Sequence, residues 1–586
     1  MQFLAEKRIF HGVFAQMIPQ ASEHVRGLFT LAGIFLSIAA VSAQSTYLNL
    51  NEELYHQIDR YETRSATISP FFFSGFKPYK RDAVVNYIRH ADSLGWLTSA
   101  SDQFNHNYLI TENREFYSSE NAKSKKPLLK NFYRFKSDFS SVNEKDFDLH
   151  LNPVVYAGYG KDNLQSDPLY TNTRGFELRS TIDQKIGIYT FVSENQVRLP
   201  FYVQQDLNPY RVIPHESLWK RFKTNGADFI LARAYLSFRA TRHIDVQFGH
   251  DRTFIGNGYR SLILSDWAPP SLFLRTNLKI WKINYLFQLN RLNADILTSP
   301  AGTLIKGRYP QKFFAFHQAS INLTKRLNIS IFESVIFSPE IAGNTDYFDL
   351  GYLNPVIFYR SVEQQFGSPD NIILGADFKW LIAKGFSVYG QVVLDEFVLS
   401  KILAGEGWWG NKFAVQGGIK MTDLFGISNL DLQLEGNVAR PYTYSQSGQY
   451  LSYSHYRQPL AHPLGANFAE GVGILRYQPL PGLFLTAKGM YYRTGKDGEQ
   501  ENWGGDILKE NDINRAGNSG NVIGQGQETK VLFADLSASW MLRHNLFIDL
   551  RQTIRNSTSS LPKFDNTNQL TSIAIRLNIA PRTYEY

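Results

Sequence analysis

The sequence predicts an all-β fold, a transmembrane barrel of the outer-membrane type. It should have about eighteen antiparallel strands, preceded by a helical region. Three observations predict this: strand segments with a period of two, connections that alternate short and long, and an amino terminus that reads as a secretory leader. The clearest alternation runs over 228–251. Ile230, Ala232, Ala234, Leu236 and Phe238 alternate with Leu231, Arg233, Tyr235, Ser237 and Arg239, and after a tight turn at Thr241-Arg242-His243 the pattern resumes with Ile244, Val246 and Phe248. A period of two marks a strand with two unlike faces. In a barrel the apolar face meets lipid and the polar face lines the interior.

At the amino terminus Arg26 precedes an apolar run over 27–40, and Val41-Ser42-Ala43 offers a small-x-small cleavage site before Gln44. Residues 1–43 therefore read as a signal peptide, with a run too short for a membrane span. The stretch ahead of Arg26 is long for such a leader, so Met17 is a second candidate start. Over 51–119 the pattern turns helical. Leu54, Ile58 and Tyr61 share one face, and Val84, Tyr87, Ile88, Ala91 and Leu94 another, at spacings of three and four. The basic stretch 122–136, with Lys123, Lys125, Lys126, Lys130, Arg134 and Lys136, reads as a solvated connection. Residues 44–146 thus form a periplasmic helical region and linker, and 147–586 the barrel.

Strand-like segments begin near Phe147, Arg174, Ile186, Asp228, Ile244, Leu272, Trp281, Phe313, Leu327, Asn371, Phe386, Lys412, Asn429, Phe468, Leu483, Thr529, Leu546 and Gln569. Several alternate as cleanly as the first hairpin: Leu532, Leu536 and Trp540 oppose Phe533 and Asp535, and Ile573, Ile575, Leu577 and Ile579 oppose Arg576 and Asn578. Short turns fall at Gln184-Lys185, Arg242-His243, Lys325-Arg326, Ala383-Lys384-Gly385, 423–428, 479–482 and Arg543-His544. Between them come long connections over 199–227, 252–271, 293–311, 338–370, 398–411, 440–467 and 494–528. Outer-membrane barrels have short periplasmic turns and long extracellular loops. An even strand number returns the carboxyl terminus to the periplasm, beside the helices.

Mean hydropathy is −0.28, which excludes a helical membrane protein, and aromatics at 14% suit strands and interfacial girdles. The absence of cysteine removes disulfides, thiolate metal sites and thiol catalysis. The sequence holds no phosphate loop, no G-x-S-x-G elbow and no H-E-x-x-H. The expectation is a protein that is not an enzyme and binds no metal or cofactor. A formal charge of +8 over 586 residues is too mild to predict a nucleic-acid partner. The expected partners are outer-membrane lipid and lipopolysaccharide, a surface polysaccharide (acidic ones included), and motility or export proteins, with the barrel itself monomeric.

Two groups of residues are candidates for function. Arg233, Arg239, Asp431, Glu435, Asp535, Asp549, Arg551 and Arg576 fall on inward positions. Carrying both signs, they either pair and brace the wall or line a selective pore, since uncompensated buried charge is costly. The lumen is expected to be closed by these charges, by inward loops and by the helices, an open porin being the alternative. The long loops carry Trp408, Trp409, Tyr442, Tyr444, Tyr453, Tyr456, Arg457 and Trp503, with Arg252, Asn257, Tyr259 and Arg260 in the 252–271 connection. Flat aromatic faces beside amides and charges suit sugar rings, and equally serve as loop-packing cores or interfacial anchors.

The stretch HDRTFIGNGYRSLILSDWAPP at 250–270 resembles the outer-membrane capsule-assembly proteins of the Wzi family, in which a glycine turn leads into S-L-I-L-S and a proline pair. YSHYRQPLAHPLGANF at 453–468 resembles that family's loop ending in P-L-G. GYLNPVIFYRSVE at 351–363 and LDEF at 394–397 are similar to its gliding-motility RemB-like branch. The resemblance runs from 147 to the end. It implies an eighteen-stranded barrel with a periplasmic helical bundle, acting as a lectin that holds capsular polysaccharide. The RemB-like blocks imply the alternative of a gliding-motility or secretion-associated complex.

Overall fold

The computed structural model describes residues 45–586 apart from 118–119, 211, 224, 298–303, 306, 339–349, 355–358, 360–369 and 449. The signal-peptide reading over 1–43 and much of 351–363 lie outside the described residues. Eighteen antiparallel strands close the wall. They are β1 (Phe147–Asp162), β2 (Leu169–Ile182), β3 (Ile186–Arg198), β4 (Gly226–Thr241), β5 (Ile244–Asp251), β6 (Ser271–Ile280), β7 (Ile283–Asn293), β8 (Gln311–Asn322) and β9 (Leu327–Phe337). The circuit continues with β10 (Asn371–Ala383), β11 (Phe386–Glu396), β12 (Lys412–Met421), β13 (Leu430–Ala439), β14 (Phe468–Leu480), β15 (Leu483–Lys496), β16 (Gln527–Arg543), β17 (Leu546–Ser559) and β18 (Asn566–Leu577). The seam is β18 against β1, from Leu570↔Asp162 to Leu577↔Val155.

The predicted faces hold. Ile230, Leu236, Leu532, Leu536 and Trp540 point out of the wall and are exposed, whereas Arg233, Tyr235, Phe533 and Asp535 are buried inside. Where strand starts differ from expectation the reason is local. β2 begins at Leu169 rather than Arg174, because Tyr170 to Thr173 lack apolar alternation yet pair fully with β3. The strand expected near Trp281 begins at Ile283; Trp281 itself, with φ 52°, lies in the turn between β6 and β7. The connections 163–168 and 560–565 are short, so the long-loop end is not uniformly long.

Among the described residues three α-helices precede the wall: α1 (Glu52–Ser65), α2 (Arg81–Ser93) and α3 (Ala100–Glu112). The Asn51 side chain caps α1 by accepting from the backbone N–H of Glu53 and Leu54. Ser99 and Asp102 form a reciprocal capping box on α3. Ile58, Tyr61, Val84, Tyr87, Ile88 and Ala91 are buried together as predicted, while Leu94, just past α2, is exposed.

These helices do not sit beside the barrel. They seal its short-turn end and reach into the lumen. Ile68 N–H donates to the Lys325 carbonyl and Gly385 N–H to that of Thr63, both at 2.9 Å. The Arg60 guanidinium reaches Asp431 on β13 at 2.9 Å. A two-residue strand, Phe76–Lys77, pairs antiparallel with Phe254–Ile255 of the β5–β6 loop. That loop folds inward, its Tyr259 and Arg260 N–H groups donating to Glu435 at 2.6 and 3.0 Å. The lumen is thus filled from both ends, by the segments that were expected to close it.

The carboxyl end corrects an expectation. After β18, Asn578 adopts a left-handed backbone (φ 55°) and anchors to the Pro153 carbonyl at 2.8 Å. The chain then turns back into the barrel instead of leaving it. Ile579, predicted to face lipid, packs inside against the cluster of Tyr47, Val154 and Tyr189. Tyr584 and Tyr586 pack with Leu199, Tyr202 and Leu207 of the β3–β4 loop, toward the far end.

The stretch 122–136 is also not a plain linker. It is a hairpin closed by reciprocal Leu128–Phe132 backbone bonds at 2.8 and 2.9 Å and a Ser124 N–H to Arg134 carbonyl bond at 3.0 Å. Beyond it, Ser140–Glu144 pairs with the first residues of β1.

Candidate functional site

The barrel interior is a charged network around a cavity of about 360 Å³ lined by Glu52, His56, Arg476, Lys488, Asp535 and Arg551, among others. Strand alternation aims each wall residue inward, and the plug, inward loop and tail supply the partners. Asp431 pairs with Arg60 and accepts from His56 at 2.9 Å. Arg239 meets Asp82 and Asp245 at 3.2 and 3.3 Å. Arg233 lies 3.7 Å from Asp251 and over the Phe191 ring. Glu435 accepts from the Tyr389 hydroxyl at 2.8 Å as well as from the inward loop. Asp535 accepts from Thr553 at 2.6 Å and faces Arg551 at 3.6 Å. Asp549 holds Arg576 at 2.7 Å. The inward charges therefore pair and brace, each within reach of an opposite charge or a donor, as low-dielectric burial demands.

The tail occupies the centre of this network. Glu585 accepts from Lys488 at 2.9 Å and from the Tyr259 hydroxyl, and its carbonyl accepts from Arg260 at 2.6 Å. Arg551 donates to the Arg582 carbonyl at 2.9 Å, and Arg555 to that of Tyr586 at 3.1 Å. Burial is the largest influence on the Glu585 carboxyl and would raise it, but Lys488, Arg260 and the Tyr259 hydroxyl together hold the group below the ordinary carboxylate range. Sequence reasoning missed the tail, two of the cations that hold it, Lys488 and Arg555, and Arg476, which holds Glu52 of α1 beside it. The signal for the cations was present: Arg476 and Lys488 pair across or beside inward-facing Asp431 and Asp535.

The predicted loop residues divide into three sets. Trp408, Trp409, Tyr456 and Arg457 are half-buried at the long-loop end. Trp408 and Trp409 have centroids 5.9 Å apart, and the Arg515 guanidinium lies 3.7 Å from the Trp409 ring centre. Arg457 pairs with Asp295. Arg252 and Tyr259 are half-buried on the internal cavity. Tyr442, Tyr444, Tyr453, Asn257 and Arg260 are buried, which corrects the expectation that they stand exposed on an outer platform.

The reason is that the loops fold over the lumen rather than away from it. The Tyr444 hydroxyl donates to the Leu262 carbonyl at 2.7 Å and that of Tyr453 to Ile263 at 2.8 Å, tying the β13–β14 loop to the inward loop. Tyr442 donates to the Asn502 carbonyl at 2.8 Å. Asn257 donates to Asp377 at 3.1 Å and accepts from Ser74 of the plug. Arg260 pairs with Glu470 at 3.3 Å. His455 likewise joins three loops, accepting from Asn293 N–H at 3.0 Å and facing the Pro270 carbonyl; burial pushes its imidazole down to about 3, so it stays neutral. Among the described residues no group of three or more His, Asp or Glu side chains is placed to hold a metal ion.

No family model matches the chain, and no curated protein matches it. Solved structures do. Wzi of Escherichia coli, described as a carbohydrate-binding β-barrel involved in group 1 capsule assembly, aligns with 92% of this chain and 100% of its own, at a TM-score of 0.56 and 12% identity. Two Pseudomonas aeruginosa barrels align less well. OccK8 (OprE) covers 73% of this chain and 97% of its own at 0.40 and 9% identity, and OprD covers 74% and 94% at 0.38 and 10%. At these identities the likeness is one of fold: this chain is a barrel of the outer-membrane kind.

Proposed function

We propose that the chain is an outer-membrane barrel that holds a surface polysaccharide at its long-loop end, with its short turns and helices facing the periplasm. The observation that carries this reading is the filled lumen. Helices, inward loop and carboxyl tail occupy the interior and pair with its charges, so the surface left for work is the outer rim. On that rim Trp408, Trp409 and Arg515 form a half-exposed aromatic and cationic group, with Tyr456 and Arg457 on a neighbouring loop. Such groups offer stacking faces to sugar rings and a charge to uronate groups. The fold likeness to a barrel described as carbohydrate-binding supports the same reading. Each contact is weak, and retention of a long polymer comes from many units engaging together.

The test is deletion of the gene followed by measurement of surface and released polysaccharide. Polymer moving from cells to medium supports the reading. Unchanged polymer with arrested surface motility replaces it with a role in a motility complex.

A further inference from the structure

We infer that the basic hairpin 122–136 is a membrane anchor that docks on the anionic phospholipid headgroups of the leaflet at the short-turn end of the barrel. The inference rests on the barrel spanning a membrane, and on nothing about polysaccharide.

Its composition is one-sided. Lys123, Lys125, Lys126, Lys130, Arg134 and Lys136 are all exposed, and 122–136 contains no Asp or Glu. Lys123 meets exposed Glu120 at 3.1 Å, and nearby Asp138 is engaged by Arg114 and His150. No described carboxylate pairs with Lys125, Lys126 or Lys130. At the tip, Leu128 and Leu129 are 52% and 76% exposed. Leu129 and Lys130 both have left-handed backbone, φ 49° and 65°, a conformation that disfavours a leucine. A solvated connection has no use for two leucines held open on such a turn.

The hairpin stands where lipid is. β18 pairs only with Val155 onward in β1, leaving the first half of β1 an open edge. Ser140–Glu144 fills that edge, from Ser140↔Leu151 to Glu144↔Phe147. It therefore continues the line of the wall, and Val142, Phe147 and Ile182 are exposed there. The hairpin is locked to this segment through Phe139, which stacks on Phe132 (centroids 4.4 Å, 12° between planes) and meets Tyr133 edge-on. At about 3.3 Å per residue the chain from Val142 back to Phe139 spans about 10 Å, and the Phe132–Phe139 stack holds the hairpin beside that point, at headgroup distance from the apolar band. Leucines at the acyl boundary with lysine heads at phosphate depth are the arrangement an anionic leaflet selects.

The chain has no cysteine, so Leu129→Cys gives a unique site for a polarity-sensitive fluorophore on the full-length protein. The labelled protein is reconstituted into phosphatidylcholine vesicles with or without a quarter phosphatidylglycerol, and insertion is checked by heat-modifiable migration. The expected result is blue-shifted emission, quenched by acyl-chain quenchers, only with phosphatidylglycerol. The shift is expected to disappear at about 1 M salt, where the screening length falls to about 3 Å. It should also disappear in the Lys125→Ala, Lys126→Ala, Lys130→Ala variant, with migration unchanged. A label that stays in water in both compositions overturns the proposal, and so does one equally buried in pure phosphatidylcholine. A chain that inserts into neither overturns the membrane reading itself, which the migration check reports separately.

Discussion

Lys488 of β15 donates to Glu585 of the carboxyl tail at 2.9 Å, and the pair ties the last residues of the chain to the inner wall. The tail is therefore a filler of the lumen. Removing 580–586 is expected to raise single-channel conductance in planar bilayers well above that of the intact protein, with the wall still closed. Glu585→Gln should do the same to a smaller extent. Equal conductance in all three proteins would show that the helices and inward loop suffice.

Glu112 at the end of α3 joins plug to wall, accepting from Arg179 at 3.1 Å and from His544 and Asn545 at 2.9 Å. Burial alone would raise its carboxyl, but Arg179, His544 and Arg81 hold it well below the ordinary range. A depressed carboxyl contributes stability that is complete above its unfolded value, about 4.3, and is lost as pH falls below that. The plug should become protease-sensitive as pH drops from about 5 toward 3. Glu112→Gln should cost about 2 kcal/mol at neutral pH and flatten this acid dependence.

Tyr444→Phe and Tyr453→Phe each remove one buried hydrogen bond to the inward loop, a loss of about 1 kcal/mol. Tyr453→Ala, which leaves a cavity against Phe314 and Tyr444, should cost about 3–5 kcal/mol. Thermal unfolding followed by electrophoretic migration measures these. The Phe variants should retain surface polymer normally.

Trp408→Ala with Trp409→Ala should leave the barrel stable and weaken polymer binding roughly tenfold, about 1.4 kcal/mol. Arg515→Ala should weaken it less, and mainly for acidic polymers at low salt. Binding of purified polysaccharide to the detergent-solubilised protein checks both. Wild-type binding by the double tryptophan variant would move the binding surface away from this rim.

The wall was legible because each strand carries its own evidence: Leu532, Leu536 and Trp540 against Phe533 and Asp535 announce two faces within a few residues. The helices were legible for the same reason at their own period, as the burial of Val84, Tyr87, Ile88 and Ala91 shows. What the loops do was not. Tyr444 has the same neighbours in sequence whether its ring packs on the inward loop or faces solvent, since the deciding partner, Leu262, is 182 residues away. The tail was illegible because a few residues carry no period at all, and its partners Lys488 and Arg260 belong to distant elements. Trp408 and Trp409 were found at the outer end because a tryptophan pair in a long connection has few places to hide, whereas tyrosine hydroxyls readily find buried carbonyls.

Lys488 also grips Glu52, 436 residues earlier in the chain, so one lysine holds both the first helix and the last residues. This constrains the order of assembly. Once β18 zips onto β1, the plug and tail are enclosed by a continuous wall, and neither could thread in afterwards without opening the seam or a mouth. Seam closure and filling of the interior must then be late, linked events, both waiting on contacts of very long sequence separation. Loop-closure entropy makes such contacts slow to form. An open sheet with unpaired β1 and β18 edges would be the long-lived species on the way, and those edges are where the nascent barrel is most exposed to misassembly.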